Sequence, residues 1–503
     1  MKIILIIIFF YVTKVSAIVE SQKIIPEFDP NHFHYMGQFS YGDGSSFGND
    51  VAINSHTLVV THSRTFQDLG NEDFDEHRTV NIFTKNNFGF WQISQKLTSP
   101  VTHPVSRFGN NISISNHDQN TLLIADTHAP SDDQRYSVST VYVFEKNHLG
   151  EWVEIQKIFP LMGESSWSQF NRQIPLAIYD DILVIGSRNE EYKGERLGAI
   201  LIYKRNNQGV WEKHQVIYGP GGDSLFGDQI DIYNEKIIVS DPFDSTNGNR
   251  SGSVYFYEKI GDLWQQSQKI YADDAIEYQY FGSSISLSND NIIVGDSGDQ
   301  RYSPLILGNL PPIHGSVYVF SLDKESLSWY QSQKIISPES RLGDSFGSKV
   351  DLSGNAIVIT APSPLTPPDV TPQGRYDPGK AYLYLKDGNG TWRIEDILLP
   401  SDPYAKCVWV YNDNCNRKEG FGDSVAIYGG DIVVGMPEWK RQVSETDSNG
   451  EYQYVIFYGA AYLYNSGQLL ADIPVMGNIL IFLLGILLVF LFVHRGKNIN
   501  TIR

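Results

Sequence analysis

Cysteine is nearly absent from this 503-residue chain, which holds only Cys407 and Cys415. A metal centre built on that pair would need two more ligands, and no histidine lies nearby. Charge is also scarce, at 19% of residues against about 25% in average proteins. The shortage is greatest for positive charge, with 39 basic residues against 58 acidic ones. Five of the basic residues (Lys2, Lys14, Arg495, Lys497 and Arg503) sit at the ends, so the middle carries a net charge of −24. Such a surface repels phosphate backbones, which excludes nucleic acid as a partner. There is no H-E-x-x-H, no P-loop and no Cys-x-x-Cys, so metalloprotease, nucleotide and thiol-redox chemistry have no motif to rest on.

What the chain does have is aromatic side chains, at 13%, and 41% apolar residues overall. That balance excludes wholesale disorder and favours a pleated, half-buried sheet surface. Residues 1–17 have the layout of a secretory signal, with Lys2, an apolar run to Val12 and Val15-Ser16-Ala17 before the cut. A second apolar run, Ile473 to Val493, contains 21 residues and no charge, enough for one transmembrane helix. Basic residues follow it in a short tail, 494–503, which the positive-inside rule places in the cytosol. The expectation is a single-pass type I protein of the plasma membrane with residues 18–472 outside. In that oxidising compartment Cys407 and Cys415 are expected to form a disulfide. Three sequons, at Asn111, Asn249 and Asn389, are expected to be glycosylated.

A Phe-Gly pair followed by an alternating strand recurs seven times, from Phe47, Phe108, Phe170, Phe226, Phe281, Phe346 and Phe421, with Asn171 replacing glycine in the third copy. Each copy continues into a second strand such as IIVSDP or IIVGDS, then a third such as SVYFY or SVYVF. A fourth strand opens on tryptophan at Trp91, Trp152, Trp211, Trp264, Trp329 and Trp392, and usually ends near Gln-Lys-Ile. Seven repeats thus have six tryptophan strands, and the missing one is matched by SQKII, Ser21 to Ile25, after the signal. The pattern predicts an all-β, seven-bladed β-propeller with four-stranded blades, in which the N-terminal strand completes the last blade and removes the free edges.

With these anchors, and endings such as ITAPS (Ile359 to Ser363) and VVGMP (Val433 to Pro437), the ectodomain resembles the FG-GAP repeat family, which builds the propeller of integrin α-subunits. It departs from that family in three ways. Turns as short as YGGD (Tyr428 to Asp431) and SGN (Ser353 to Asn355) stand where calcium-binding members carry an Asp-rich loop, and cannot supply six to eight oxygens. The integrin leg domains are absent, and FVHRGK (Phe492 to Lys497) lacks the family's Gly-Phe-Phe. The expectation is a compact relative without metal or cofactor; Asp447 and Asn449, in a faintly calcium-loop-like turn, are the first residues to suspect otherwise.

Other motifs have structural readings. Gly44–Gly48 and Gly343–Gly347 match G-x-S-x-G, but each is the repeat anchor with a strand behind it, not the strand-to-helix turn of a nucleophile elbow. His32 and His34 read as a solvated pair. The once-per-blade tryptophans, and Gln95 with Gln156, Gln215, Gln268 and Gln333, read as packing or blade hydrogen bonding. In a four-stranded meander the turns after strands one and three share a face, and these are tight. The other connections are long and dissimilar, including Thr61–Arg78, Pro400–Gly420 and Met436–Gly459. Tyr404, Trp409 and Tyr411, around the expected disulfide, are candidate partner-binding residues. The expected function is non-enzymatic binding of an extracellular protein or glycan by the long-loop face. The alternatives are a glycosidase- or lyase-like propeller enzyme and an accessory subunit of a membrane complex. Only Asn465 to Asp472 separate the last strand from the apolar run, so the tight-turn face is expected to lie against the bilayer.

Overall fold

The computed structural model describes residues 20–25, 46–63, 78–100, 106–117, 120–130, 137–159, 174–222, 224–298, 315–339, 345–362, 378–401, 420–446 and 452–465. They form seven four-stranded antiparallel blades. Six are consecutive in sequence, spanning 46–98, 108–158, 176–218, 230–270, 284–336 and 350–398. The seventh joins Ser424–Tyr428, Asp431–Thr446 and Tyr452–Asn465 to the N-terminal strand Glu20–Ile24. Each innermost strand touches those of both neighbours, and that of blade 7 touches that of blade 1, so the ring closes.

The hydrophobic core follows the same circle. It consists of seven clusters, each filled by side chains from two adjacent blades, the last uniting Val433 and Leu463 of blade 7 with Val51 and Val60 of blade 1. The alternation of the strands explains this: both faces of every blade are covered, so second and third strands read as apolar runs such as Ile237-Ile238-Val239.

The Phe-Gly anchor sets how closely the blades approach. The phenylalanines are buried, and Phe108, Phe226, Phe281, Phe346 and Phe421 each meet a third-strand tyrosine of their own blade edge-on at 5.1–5.5 Å. The six glycines that follow have φ between +82° and +100°. A Cβ at Gly48 would lie 2.5 Å from the Ala460 carbonyl oxygen of the preceding blade, and at Gly347 2.6 Å from that of Ser316. Glycine is therefore required on two counts, conformation and space.

The repeated glutamines fasten the outer seams. In Gln95 the Nε2 group donates to the Trp152 carbonyl and Oε1 accepts from the Trp152 N–H, both at 2.8 Å. The same reciprocal clasp joins Gln22 to Trp91, Gln156 to Trp211, Gln215 to Trp264, Gln268 to Trp329 and Gln333 to Trp392, at 2.7–2.9 Å. The expectation of blade hydrogen bonding is met, and the bond crosses to the next blade. At the seam between blades 6 and 7, Asp396 stands in the glutamine position and accepts from the Ile397 N–H. There Ser401 donates to Glu20, and the Tyr464 hydroxyl donates to the Leu399 carbonyl at 2.6 Å.

Ring closure by the N-terminal strand is present: Glu20 pairs with Tyr464, Gln22 with Leu463, Lys23 with Tyr462 and Ile24 with Ala461. One reading is corrected. Met436–Gly459 is not a loop but the extension of a hairpin, with Lys440 paired to Tyr458 and Thr446 to Tyr452. No helix among the described residues is long and apolar enough to cross a membrane, and the expected span 473–493 lies outside those residues.

Two outcomes follow for stability. Gln268→Ala leaves the buried Trp329 N–H and carbonyl without their partner and should cost about 1–3 kcal/mol in urea unfolding. Deleting Glu20–Ile24 should bare an edge of Tyr452–Asn465 and produce oligomers by light scattering; a monomer with unchanged melting would contradict the closure.

Candidate functional site

Strand parity divides the ring into two faces. One carries the turns after the first and third strands. The first turns include two-residue links at Asp180, Asn234, Gly354 and Gly429, whose φ of +49° to +59° suits the primed turns of tight hairpins. Third turns repeat one device, an Asn or Asp side-chain oxygen accepting two backbone N–H groups. Asn86 accepts from Phe88 and Phe90, Asn147 from Leu149 and Glu151, Asn206 from Gln208 and Val210, and Asp387 from Asn389 and Thr391, at 2.9–3.0 Å.

The opposite face is heterogeneous. Blade 3 places a two-stranded hairpin there, Glu191–Tyr192 with Glu195–Arg196, while blade 4 has an ordered connection after Asp241. In that connection Asp244 is a hub: its carboxylate accepts from Lys269 at 2.6 Å and from the Thr246 N–H at 2.8 Å. These bonds outweigh its burial and hold the carboxyl below the usual range. Asn249 donates through Nδ2 to the Tyr278 hydroxyl at 2.7 Å, and Arg250 lies 4.5 Å over Phe243. In blade 5, Asp274 accepts from Lys334 at 2.6 Å and from the Tyr318 hydroxyl at 3.0 Å. Neither Asp244 nor Asp274 stands out in the sequence, because each depends on a lysine from a strand about 25 or 60 residues later.

The innermost strands hold a set of carboxylates. Asp50 accepts from the Ile112 N–H of blade 2 at 2.9 Å, Asp231 from the Leu287 N–H of blade 5 at 2.6 Å, and Asp351 from the Ile427 N–H of blade 7 at 2.8 Å. Ser286, in the blade between the last two, donates to Asp351 at 3.2 Å. These half-buried groups are ringed by protein, and burial pushes Asp50 and Asp351 up to about 6 and Asp231, with Asp351 nearby, to about 7. At the positions of Asp231 and Asp351 the other copies carry Ala52, Ser113, Ala177, Ser286 and Ala426. A carboxylate where the repeat has a small residue is the signal the sequence carries at these two positions. The inward-facing set shows backbone bonding across seams: Ser284 and Ser424 likewise donate to the Gly347 and Gly48 carbonyls at 2.8 Å.

Of the residues expected to act, Asn249 and Asn389 are exposed, whereas Asn111 is half-buried and accepts from the Ile174 N–H at 3.1 Å. Cys407, Cys415, Tyr404, Trp409 and Tyr411 lie outside the described residues, as do Asp447 and Asn449.

The raised carboxylates fix a sign. With a folded pKa near 6–7 against 3.8 for the free group, the folded chain takes up protons first, so stability rises as pH falls from 8 towards 5. Asp231→Asn with Asp351→Asn should shrink the difference between unfolding free energies at pH 5 and pH 8 by at least about 1 kcal/mol. An unchanged difference would assign the effect to the general negative charge instead. Among the described residues no three His, Cys, Asp or Glu groups could hold a metal ion. Calcium chelation should accordingly leave the thermal midpoint unmoved, and a shift of several degrees would reveal a site.

Residues 264–320 and 329–384 match the family described as FG-GAP repeat. No curated protein matches the chain. Solved structures similar to it include a protein from Lactobacillus plantarum (12% identity, covering 70% of this chain and 84% of that one, TM-score 0.40). Another is the β-propeller domain of the Trilobed protease from Pyrococcus furiosus (11%, 82% and 96%, TM-score 0.41). A third is the periplasmic gluconolactonase of Pseudomonas aeruginosa (13%, 70% and 85%, TM-score 0.41). The matched segments are the outer strand of blade 4, blade 5 and the first three strands of blade 6, so this part of the seven-bladed β-propeller consists of FG-GAP repeats.

Proposed function

We propose that this protein is a non-enzymatic binding module, anchored in the plasma membrane by residues 473–493, that uses its long-connection face to hold an extracellular protein or glycan. The observation that carries the reading is the contrast between the two faces. Turns on one are short and built alike, while the connections on the other differ in length and structure from blade to blade. Rigid scaffolds with diversified connections concentrate binding there. The described inward-facing carboxylates support the same reading, since their oxygens are taken by backbone N–H groups of the next blade.

Among the described innermost strands, the carboxylate pair open to a propeller hydrolase is Asp231 and Asp351, where the charge of Asp351 adds to the burial that raises Asp231. The positions two residues earlier on the innermost strands hold Asp50, Asn111, Pro175, Gln229, Ser284, Lys349 and Ser424, with no histidine or arginine among them. Tyr404, Trp409 and Tyr411 serve as contact residues in the binding reading, with Cys407 and Cys415 closing their loop.

The test is affinity enrichment of cell-surface proteins and glycans on residues 18–472, with Tyr404→Ala, Trp409→Ala and Tyr411→Ala as the control. Saturable binding weakened at least tenfold by the triple change supports the reading. Binding that survives it moves the site off that loop, and no saturable binding sinks the proposal. Export carries its own expectation: glycosidase treatment should remove two glycans, from Asn249 and Asn389. Asn111, whose side chain is built into the seam, should carry none.

A further inference from the structure

The tight-turn face has a feature that neither the repeat nor the binding reading uses. Third turns of blades 1 to 5 each end in exposed apolar side chains: Phe88 and Phe90, Leu149, Val210, Ile260 with Leu263, and Leu327. Phe88 is 86% exposed, and Leu149 and Leu327 are each 69% exposed, more than any other large apolar residue described. Single exposed apolar residues are ordinary on a protein surface. These are not independent, because they occupy the same turn of equivalent blades and so stand at one height around one face. The hydrogen-bonded Asn or Asp under each of the first three turns holds the tip rigidly outward.

Charge around the tips is neutralised. Lys85 pairs with Asp431, Lys204 with Asp262, Lys259 with Glu235 and Lys324 with Asp290. At these four positions the lysines beside the apolar tips are matched by acidic partners. Both ends of the described propeller also leave from this face, since Glu20 opens a fourth strand and Asn465 closes a third, paired with Asp431 in a first turn. From Asn465 the uncharged run beginning at Ile473 is eight residues away, at most about 28 Å of extended chain.

We propose that the tight-turn face docks on the bilayer, with the third-turn tips of blades 1 and 2 (Phe88, Phe90 and Leu149) inserted at the level where headgroups meet acyl chains. Aromatic and aliphatic tips flanked by lysine suit that interface. Blade 1 adjoins the tethered blade 7, so it is brought to the surface first. On the other side of blade 7 the third turn is Asp387–Thr391, which has no apolar residue and carries the Asn389 sequon. The ring thus leans on blades 1 and 2 and lifts blade 6 into water, leaving room for a glycan. Because the inserted tips are apolar, the contact needs no anionic lipid and is insensitive to salt.

The inference rests on the anchoring proposed above, and the experiment separates the two. The full chain is placed in phosphatidylcholine nanodiscs containing a lipid with a photoreactive group near the glycerol, irradiated, digested and mapped by mass spectrometry. Labelling of peptides spanning 86–90 and 147–151 is expected, at 0.1 M and 0.5 M NaCl alike, together with labelling of 473–493. Phe88→Ser with Phe90→Ser and Leu149→Ser should reduce label in those turns at least fivefold and leave label in 473–493 unchanged. Turn peptides labelled no more than the opposite connection after Asp241, with 473–493 labelled, would overturn the docking and spare the anchor. Labelled turns with an unlabelled 473–493 would support the docking and refute the anchor. Absence of label from both would refute both.

Discussion

Six of the seven blade seams turn on a glycine with no room for a side chain. At Gly48, Gly227 and Gly347 a Cβ would come within 2.5–2.6 Å of a carbonyl oxygen on the third strand of the preceding blade, which is far inside contact distance. The positive φ at these positions turns the chain from the connection into the innermost strand, and the phenylalanine before it fills the space under its own third strand. Close approach by the glycine brings the two sheets into range for the apolar clusters between blades and, farther out, for the Gln–Trp clasps. An alanine at one of these glycines therefore separates two blades rather than enlarging one residue.

The clasps and the buried carboxylates treat the same problem at different radii. Apart from the single bridges Phe47–Gly459 and Gly252–Phe281, the blades share no backbone ladder, so little in the ladders prevents one from sliding on the next. At the outer radius a neutral amide satisfies both backbone groups of the tryptophan position, so the junction costs no charge burial. At the inner radius three seams use a carboxylate instead, and burial raises Asp50, Asp231 and Asp351 far above the ordinary aspartate range. Such groups weaken the fold at neutral pH relative to a neutral acceptor, while pinning the register of adjacent innermost strands. The seam between blades 6 and 7 combines an inner carboxylate, Asp351, with an outer junction that lacks the clasp. It is also the seam where the N-terminal strand supplies part of the contact, through Glu20 and Ser401.

How much of this was legible follows from what repeats. The anchor, the tyrosine of the third strand and the glutamine of the fourth recur at fixed offsets, and each makes the same contact in most of the blades: the phenylalanine–tyrosine contact in five and the glutamine clasp at six seams. Position alone even located the missing fourth strand, one residue away from its actual pairing at Glu20–Ile24. Features that occur once were harder. Asp231 and Asp351 sit at strand positions that alternation marks as polar, and polarity there reads as solvent when the neighbour is in fact another blade. The hairpin Asp431–Thr446 with Tyr452–Asn465 was missed because its sequence between Met436 and Gly459 is polar and unlike any other connection, although it alternates in its second half through Tyr452, Tyr454 and Ile456.

The way the last blade is divided decides which face is free. If the chain began with a first strand and ended with a fourth, both ends would emerge among the long connections, because first strands start and fourth strands finish on that face. Here the chain begins with the fourth strand of blade 7 and ends with its third, so both ends are carried to the tight-turn face. A division that removes the free edge of the ring therefore also removes the termini from the variable connections. It places Glu20 and Asn465, the two ends of the described propeller, beside the uniform turns. Edge protection and the delivery of both propeller ends to one face are consequences of a single three-plus-one split.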